Sequence, residues 1–460
     1  MTLQVLPIDT PSLGDRSYLA SDGEVAVVID PQRDIDRVLE LAARRGVRIT
    51  HVAETHLHND YVTGGLALAR VTGATYLVPA DAEVAFGRQP VADGDVIEIS
   101  PHLRLLVIAT PGHTFHHVSY AAEADGRMAG VFTGGSLLFG SVGRTDLVAP
   151  ASTETLTRAQ YASARRLAGL LPAEAAVYPT HGFGSFCSAT QSSGDASTIG
   201  AEARANPALT QAEEEFVTGL LAGLDAYPAY YVHMAGRNAA GPDAPDLTPP
   251  EPAAPAELRR RIEAGEWVVD LRSRQAFAAG HMAGTFNFGL DGAMATYLGW
   301  LIPWGTPLTL LAGTPEQVAQ AQRELVRIGI DRLAGAATGS LQDRDGTRPL
   351  RSYRTATFAE LADAARRDPG LVILDVRRNQ EWDASRIAGA VHIPLHELPG
   401  RLAEVPDGEV WVHCAGGYRA SVAASILDAA GRRVVSVDDS FWPGAEAAGL
   451  LDRSREGAPT

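Results

Sequence analysis

Short apolar, β-branched runs alternate with amphipathic stretches over the first half of the chain. Strands are predicted where such runs end in loops that carry Gly or His, at 26–30, 74–79, 103–112, 127–135 and 175–182. Helices are predicted over 34–46 and 153–171, where apolar residues recur at helical spacing. This alternation predicts a layered α/β domain over residues 1–238.

The second half of the chain contains an internal repeat. A segment rich in proline, alanine and acidic residues, 239–257, is predicted to be an interdomain linker. Beyond it, 268–290 aligns without gaps with 373–395, and Asp270, Arg272, Phe277 and Gly284 match Asp375, Arg377, Trp382 and Gly389 at a constant offset of 105 residues. An offset of that length indicates two tandem copies of one domain, assigned to 258–348 and 353–455.

Composition narrows the classes of function. Hydrophobic residues make up 45% and charged residues 20%, as in packed globular domains. The net charge of −16 argues against nucleic acid as a partner. All 39 basic residues are arginine, so lysine Schiff-base chemistry is excluded. Without a long apolar run or a signal-peptide pattern, we expect a cytoplasmic protein with no membrane partner. Two cysteines cannot form a disulfide framework.

Histidines are concentrated where predicted strands end. Eight of the thirteen lie within 51–181, and three segments stand out: THLHNDY (55–61), TPGHT (110–114) and YPTHG (178–182). Imidazoles and a carboxylate gathered at one sheet edge are typical ligands of zinc or iron. We therefore predict His56, His58 and His113 as metal ligands, with Asp60 and His181 as further ligands or supporting groups. Histidines that only cap strands are the alternative, and we assign that role to His51, His102, His116, His117 and His233.

These motifs, with FTGGSLLFGSVGRTDL (132–147), resemble the metallo-β-lactamase superfamily, particularly its glyoxalase II-like and persulfide dioxygenase branches. The resemblance implies an αββα fold. For the persulfide dioxygenase branch it also implies one Fe(II) held by two His and one Asp. Such enzymes oxidise a thiol persulfide with dioxygen to sulfite and free thiol. The two His positions match His56 and His113.

Two positions depart from the family pattern. Tyr61 stands where His-x-His-x-Asp-His has its last histidine, which disfavours a binuclear hydrolase site. Gly135 stands where the family has its aspartate ligand. Three outcomes stay open: an all-histidine site for Fe(II) or zinc, a weaker site completed by Asp60 or His181, or no metal at all.

Two further residues near these motifs are candidates for the substrate side of the site. Arg144, followed by Asp146, could position an anionic substrate or brace its loop. Cys187 matches a cysteine of the rhodanese-fused dioxygenase subgroup, and a small buried hydrophobe is the alternative.

The last domain carries a cysteine between a predicted strand, 409–413, and a predicted helix from residue 420. The loop is Cys414-Ala415-Gly416-Gly417-Tyr418-Arg419. Backbone N–H groups, the helix dipole and the arginine favour a thiolate that accepts sulfane sulfur, and a buried structural cysteine is the alternative. The loop resembles the rhodanese pattern Cys-x-x-Gly-x-Arg. The first copy has Ala312 at the equivalent position, which predicts a spacer or docking domain.

Together these features predict a metallo-β-lactamase fold followed by two rhodanese-like α/β domains. The predicted function is a persulfide dioxygenase and sulfurtransferase that acts on low-molecular-weight thiol persulfides, with sulfite and thiosulfate as partners. Cys414 would carry the sulfur. A zinc-dependent thioesterase-like hydrolase and a metal-free sulfur carrier are the alternatives, and a homodimer is expected.

Overall fold

The structure is a computed structural model that describes residues 3–190, 194–340 and 350–452. The chain forms two compact units. The first comprises Met1–Asp246 with Arg323–Asp331, and the second comprises Leu247–Gln322 with Arg332–Thr460. The division after Asp246 falls inside the predicted linker. Of the predicted domain limits, residues 1, 348 and 455 lie outside the described residues.

The first unit contains two six-stranded sheets. The strands of one are β1 (Gln4–Thr10), β2 (Asp15–Ser21), β3 (Val25–Ile29), β4 (Arg48–Ala53), β5 (Thr75–Pro79) and β6 (Gln89–Val91). The strands of the other are β7 (Val96–Ser100), β8 (Leu103–Ala109), β9 (Val118–Ala124), β10 (Arg127–Gly134), β11 (Ala176–Pro179) and β12 (Ser197–Thr198). Their orders are β1-β2-β3-β4-β5-β6 and β12-β11-β10-β9-β8-β7. Strands β3 to β6 run parallel, and so do β10 and β11.

Helices accompany both sheets. They are α1 (Asp36–Arg45), α2 (Gly65–Thr72), α3 (Thr153–Leu170), α4 (Ile199–Ala205), α5 (Pro207–Thr210), α6 (Glu213–Gly223) and α7 (Met234–Ala240), with 3₁₀ turns at Pro150–Ser152 and Ala229–His233. Within the described ranges, no helix has both the length and the apolar character needed to cross a membrane.

Successive side chains of a strand point to opposite faces of its sheet. In the central strands, the side chains on both faces are buried. On β3, Val27 packs in the core that also holds Leu105 and Phe132 of the other sheet. Its neighbour Val28 packs in the core that holds Val38 of α1. The second sheet has a separate core with α3 and α6. This layering is the predicted αββα fold.

The predicted elements match the observed ones with small differences at their ends. Strands β5, β8, β10 and β11 lie inside their predicted runs, β3 begins one residue before its run, and α1 and α3 occupy the two predicted helices. The predictions at 103–112 and 175–182 continue three residues too far. The last residues of those runs turn into the loops that carry His113 and His181.

The second unit contains two parallel sheets. One is built from β13 (Trp267–Asp270), β14 (Phe286–Asn287), β15 (Leu308–Leu311) and β16 (Gly335–Ala337), in the order β14-β13-β15-β16. The other is built from β17 (Arg354–Ala356), β18 (Val372–Asp375), β19 (Val391–His392), β20 (Glu409–His413) and β21 (Arg433–Val437), in the order β17-β21-β20-β18-β19.

Helices connect these parallel strands. They are α8 (Pro255–Glu263), α9 (Arg274–Ala279), α10 (Met294–Leu301), α11 (Pro315–Arg327), α12 (Phe358–Arg367), α13 (Asn379–Ala384), α14 (Leu398–Arg401), α15 (Tyr418–Ala429) and α16 (Phe441–Ala447), with a 3₁₀ turn at Leu402–Glu404. The end of α11 belongs to the first unit by its contacts.

The predicted repeat is visible as the same local structure in both sheets. Arg272 Nη2 donates to Asp270 Oδ2 and Arg377 Nη2 donates to Asp375 Oδ2, each at 2.6 Å. Each arginine also donates to a carbonyl eight residues further on, at Gly280 in the first copy. An ion pair that closes the turn after the first central strand is thus common to both copies.

Candidate active sites

Loops at the ends of three strands carry the predicted metal ligands. β4 leads into 55–61, β8 leads to His113, and β11 ends two residues before His181. The side chains of His56, His58, Asp60, His113 and His181 are all buried. Among the four histidines, the ring centroids of neighbouring pairs lie between 4.1 and 5.7 Å apart. The structure therefore brings all five residues into one buried cluster.

Three of these histidines form a ligand group. One ligand atom from each of His56, His113 and His181 lies within 4.8 Å of the other two. Their Nε2 atoms have no hydrogen-bond partner among the residues that the structure describes. Three buried nitrogen atoms without partners cost free energy unless something binds them, and imidazole is a ligand for iron and zinc. The residues present therefore fit a metal ion.

The opposite ring nitrogen of each histidine is held in place. His56 Nδ1 lies 2.8 Å from Thr55 Oγ1, which itself donates to Asp30. His113 Nδ1 donates to the Arg144 carbonyl at 2.7 Å, and His181 Nδ1 lies 2.9 Å from Asp15 Oδ1. This is the arrangement by which proteins orient metal-binding imidazoles, because a donating Nδ1 leaves Nε2 as a lone pair.

Burial and charge set different protonation states for the three rings. Burial lowers the pKa of His56 well below its ordinary value and that of His113 to about 3, so both are neutral. Burial would also lower the pKa of His181, but the carboxylates of Asp60 and Asp15 raise it to about 10. A metal at this ring would take the place of that proton.

His58 faces a different set of groups. Its Nε2 lies 3.2 Å from Asp30 Oδ1, 3.3 Å from Glu54 Oε2 and 3.0 Å from the Tyr61 hydroxyl. Burial would lower the pKa of His58, but Asp30 and Glu54 raise it to about 9. A second ligand group, which shares His181, combines His58 with Asp60. The structure thus groups His56 and His113 with His181 rather than with His58.

Gly135 provides space for the His113 ring. A Cβ atom on Gly135 would lie 2.3 Å from His113 Cδ2, and one on Gly143 would lie 2.7 Å from His113 Nδ1. The Gly135 N–H donates to His117 Nε2 at 3.0 Å, so His117 fixes this loop. A side chain at position 135 has no room unless His113 moves.

Arg144 braces its loop. Its guanidinium donates to both oxygens of Asp146, at 2.7 and 2.8 Å, and to the carbonyls of Phe186 and Asp225. It also lies over the Tyr227 ring. With four of its five N–H donors engaged inside the protein, the geometry supports bracing rather than direct anion binding.

Cys187 lies at the edge of the histidine cluster. Its backbone carbonyl accepts from the Arg144 N–H at 2.8 Å, and the side chain is fully buried. Burial, together with the nearby Asp60 carboxylate, raises the pKa of the Cys187 thiol well above its ordinary value. Cys187 is therefore a neutral thiol in this environment.

Cys414 follows β20 directly and precedes α15. Its Sγ accepts the Gly417 N–H at 3.2 Å, and the side chain is 2% exposed. Gly417 has φ +88°, a conformation that favours glycine. Pairing registers match Leu311 to Asp270 and His413 to Asp375, so Ala312 occupies the position of Cys414 in the first copy.

The rest of the loop differs in exposure and in charge. Ala415 and Gly416 are exposed, whereas the Tyr418 hydroxyl donates to the Gly289 carbonyl at 3.0 Å. Arg419 makes two hydrogen bonds to Glu381, at 2.5 and 2.8 Å. Burial would raise the pKa of Glu381, but Arg419 lowers it to about 2. Arg419, predicted to favour the thiolate by its positive charge, is therefore paired with Glu381.

Comparison with known proteins finds relatives for both the histidine-bearing domain and the Cys414 domain. The metallo-beta-lactamase superfamily model matches residues 15–181, and the rhodanese-like domain model matches 357–442. The mitochondrial persulfide dioxygenase ETHE1 of Bos taurus is 34% identical over 208 residues, which cover 44% of this chain and 74% of that protein. The chain belongs to the metallo-β-lactamase-fold persulfide dioxygenase–rhodanese family.

One further relative and one solved structure are also similar to this member of the persulfide dioxygenase–rhodanese family. A hydroxyacylglutathione hydrolase of Methylobacillus flagellatus is 34% identical over 157 residues, covering 34% of this chain and 57% of that protein. A crystal structure of a metallo-beta-lactamase from Staphylococcus aureus covers 74% of this chain and all of that chain, with 27% identity and a TM-score of 0.66. Family membership supports a role in sulfur metabolism, and the homologues of the chain are enzymes.

Several residues at these sites were not predicted as site residues. Asp15 orients His181, Asp30 and Glu54 hold His58, His117 fixes the Gly135 loop, and Glu381 pairs with Arg419. Asp30 and Glu54 each follow a strand end immediately, which is the one sequence signal they offer. Asp15 and Glu381 are distant in sequence from their partners, and only the fold reveals them.

Proposed function

We propose that the chain is an iron(II)-dependent persulfide dioxygenase joined to a sulfurtransferase, and that it acts on low-molecular-weight thiol persulfides. The observation that carries the proposal is the set of unpartnered, buried Nε2 atoms of His56, His113 and His181. The relatives named persulfide dioxygenase support the choice of reaction.

His56, His113 and His181 would hold the metal ion. When bound, iron(II) supplies the redox chemistry that lets dioxygen react with a persulfide. The overall reaction takes one thiol persulfide, one dioxygen and one water to one thiol, one sulfite and two protons. The oxidised atom is the outer sulfur of the persulfide, and dioxygen is reduced.

The surrounding residues position the ligands and exclude water. Thr55, the Arg144 carbonyl and Asp15 fix the three rings through Nδ1. Asp60 lies 3.1 Å from His181 Nδ1. His181 lowers the pKa of the Asp60 carboxyl and so keeps it ionised. Burial would raise the Asp60 pKa, so the imidazolium decides its charge. Asp60 therefore faces His181 as a carboxylate.

Cys414 would carry sulfur in the second half of the reaction. Its thiolate attacks the outer sulfur of a thiol persulfide, and the sulfur–sulfur bond breaks with its electrons on the departing thiolate. The sulfur of sulfite then attacks the outer sulfur of the Cys414 persulfide. Thiosulfate leaves, and Cys414 returns as a thiolate. The Gly417 N–H, which contacts Sγ, stabilises negative charge on this atom.

Turnover of glutathione persulfide by the full chain tests the proposal. We expect dioxygen uptake to match the sulfite plus thiosulfate formed in the wild type. Cys414→Ala should keep dioxygen uptake and sulfite formation while it abolishes thiosulfate formation, and Cys187→Ala serves as the matched cysteine control. Thiosulfate formation that survives in Cys414→Ala would refute the transfer half. Hydrolysis of an acyl-thiol without dioxygen uptake would refute the oxygenase half.

A further inference from the structure

The loop that carries Cys414 lies beside the segment that follows β21. Strands β20 and β21 are parallel neighbours, so their carboxyl ends lie at the same edge of the sheet. Cys414 comes directly after β20, and Asp438 comes directly after β21. The Phe441 N–H donates to the Ala415 carbonyl at 2.9 Å, which ties the two segments together. The fold therefore brings a carboxylate close to the reactive loop.

The Asp438 side chain packs against the glycine that contacts the sulfur. A Cβ atom on Gly417 would lie 2.2 Å from Asp438 Oδ1, and the Gly417 N–H donates to Cys414 Sγ at 3.2 Å. A nearby negative charge opposes a thiolate, because like charges disfavour each other's ionised form. An Asp438 carboxylate without a cation beside it would therefore work against the thiolate that sulfur transfer needs.

The cysteine-less copy of the repeat supplies that cation. Arg274 Nε donates to Asp438 Oδ1 at 2.6 Å, and Gln275 Nε2 donates to Asp438 Oδ2 at 2.5 Å. Both residues belong to α9, and Arg274 Nη1 also donates to Asp291 Oδ2 at 2.9 Å. The same Cβ atom on Gly417 would lie 3.2 Å from Arg274 Nε, so the guanidinium itself reaches the loop.

The other ionisable groups around the loop are paired with each other or neutral. The pairs are Arg419 and Arg378 with Glu381, and Arg377 with Asp375. Burial lowers the pKa of His413 to about 4 and raises the pKa of Tyr297, so both side chains are neutral. Loss of the Arg274 guanidinium would therefore leave Asp438 as a carboxylate without its cation.

From these contacts we infer that Arg274 of the cysteine-less copy is a positioning residue of the Cys414 site: it neutralises Asp438 and holds that carboxylate beside Gly417, so that a thiolate can form. The inference rests on the proposed sulfur transfer. Arg274 acts through Asp438 and Gly417 rather than by contact with substrate. A copy without a cysteine of its own thereby takes part in the chemistry of its neighbour.

The pH dependence of Cys414 alkylation tests this role on the full chain. The Cys414 thiolate displaces iodide from iodoacetamide, so the rate follows the thiolate fraction. Mass spectrometry of the peptide that contains Cys414 measures this rate. Arg274→Met removes the charge and keeps a long side chain. We expect it to raise the thiol pKa of Cys414 by about one, and to slow alkylation below that pKa about tenfold.

Removal of the carboxylate should reverse the effect. When Arg274→Met is combined with Asp438→Asn, no unpaired carboxylate is left, and we expect the thiol pKa to return close to the wild-type value. Arg274→Lys keeps a cation beside Asp438 and should raise the pKa less than Arg274→Met does. Arg260→Met is the matched control, because Arg260 pairs with Glu257 at an exposed surface of the same copy.

Loading of sulfur from thiosulfate gives a second readout. The Cys414 thiolate attacks the outer sulfur, the sulfur–sulfur bond breaks and sulfite leaves, so the chain gains the mass of one sulfur atom. Below the thiol pKa, we expect Arg274→Met to load more slowly and the double variant to recover. If the wild type gains no sulfur, the proposed transfer itself fails, while alkylation still decides the role of Arg274.

Two results would overturn the inference. One is an unchanged thiol pKa in folded Arg274→Met. The other is a double variant whose thiol pKa stays as high as that of Arg274→Met, since the arginine would then have a structural role only. Thermal unfolding shows which variants are folded. If Arg274→Met does not fold, Arg274→Lys with and without Asp438→Asn makes the same comparison.

Discussion

The imidazole of His113 fills the space that a side chain at Gly135 would need. A Cβ atom there would lie 2.3 Å from His113 Cδ2. The His113 ring therefore packs directly against the glycine that stands where the family pattern has its carboxylate. One ring nitrogen of His181, which Asp15 orients, lies within 4.8 Å of a ring nitrogen of both His56 and His113.

Gly135→Ala should displace His113. We expect it to reduce metal affinity and to lower the free energy of unfolding by about 1–3 kcal/mol, the usual cost of overpacking. Gly169→Ala in α3 is the control, since its Cβ would meet no atom within 4 Å. Gly135→Asp should weaken metal binding for the same reason. Chelator competition and thermal unfolding measure both effects, and tighter metal binding by Gly135→Asp would show that His113 moves aside freely.

Asp15→Asn should weaken metal binding without removing a ligand. Asp15 orients His181 through Nδ1, and loss of such a partner costs roughly 10–100-fold in metal affinity. Asp9→Asn is the control, because Asp9 is half-exposed and pairs with Arg16 away from the cluster. Equal metal affinities for Asp15→Asn and the wild type would mean that His181 needs no orientation, or that it is not a ligand.

Arg144→Gln should lower stability and leave substrate affinity unchanged. Loss of the guanidinium leaves the carbonyls of Phe186 and Asp225 without their donor, at a cost of about 1–3 kcal/mol. Thermal unfolding and the KM for glutathione persulfide distinguish the two roles. A higher KM with an unchanged free energy of unfolding would show that Arg144 binds the substrate instead.

Glu381→Gln should destabilise the second unit in a pH-dependent way. The folded-state pKa of Glu381, about 2, lies below its ordinary value of 4.5. Its ionised form therefore adds stability above pH 4.5, and this contribution fades as pH falls from 4.5 towards 2. We expect the variant to melt about 2–4 °C lower at neutral pH. A difference that grows on acidification would contradict this assignment.

The sequence predicts the local chemistry well and the long-range partners poorly. Strand ends, the His-x-His segment and the Cys414 loop follow from residue patterns over a few positions. The pairing of His181 with Asp15 joins residues 166 positions apart, and no local pattern encodes it. The departure at Gly135 was visible in the sequence, but the close contact of Gly135 with the His113 ring was not.

The metal content of protein purified without oxygen tests the central claim most directly. Elemental mass spectrometry of the wild type should find close to one iron per chain. His181→Ala and His56→Ala should lose most of it, while His51→Ala, outside the ligand group, should keep it. Iron that persists in His181→Ala would contradict the three-histidine site. Zinc in place of iron, or no metal in the wild type, would contradict the dioxygenase.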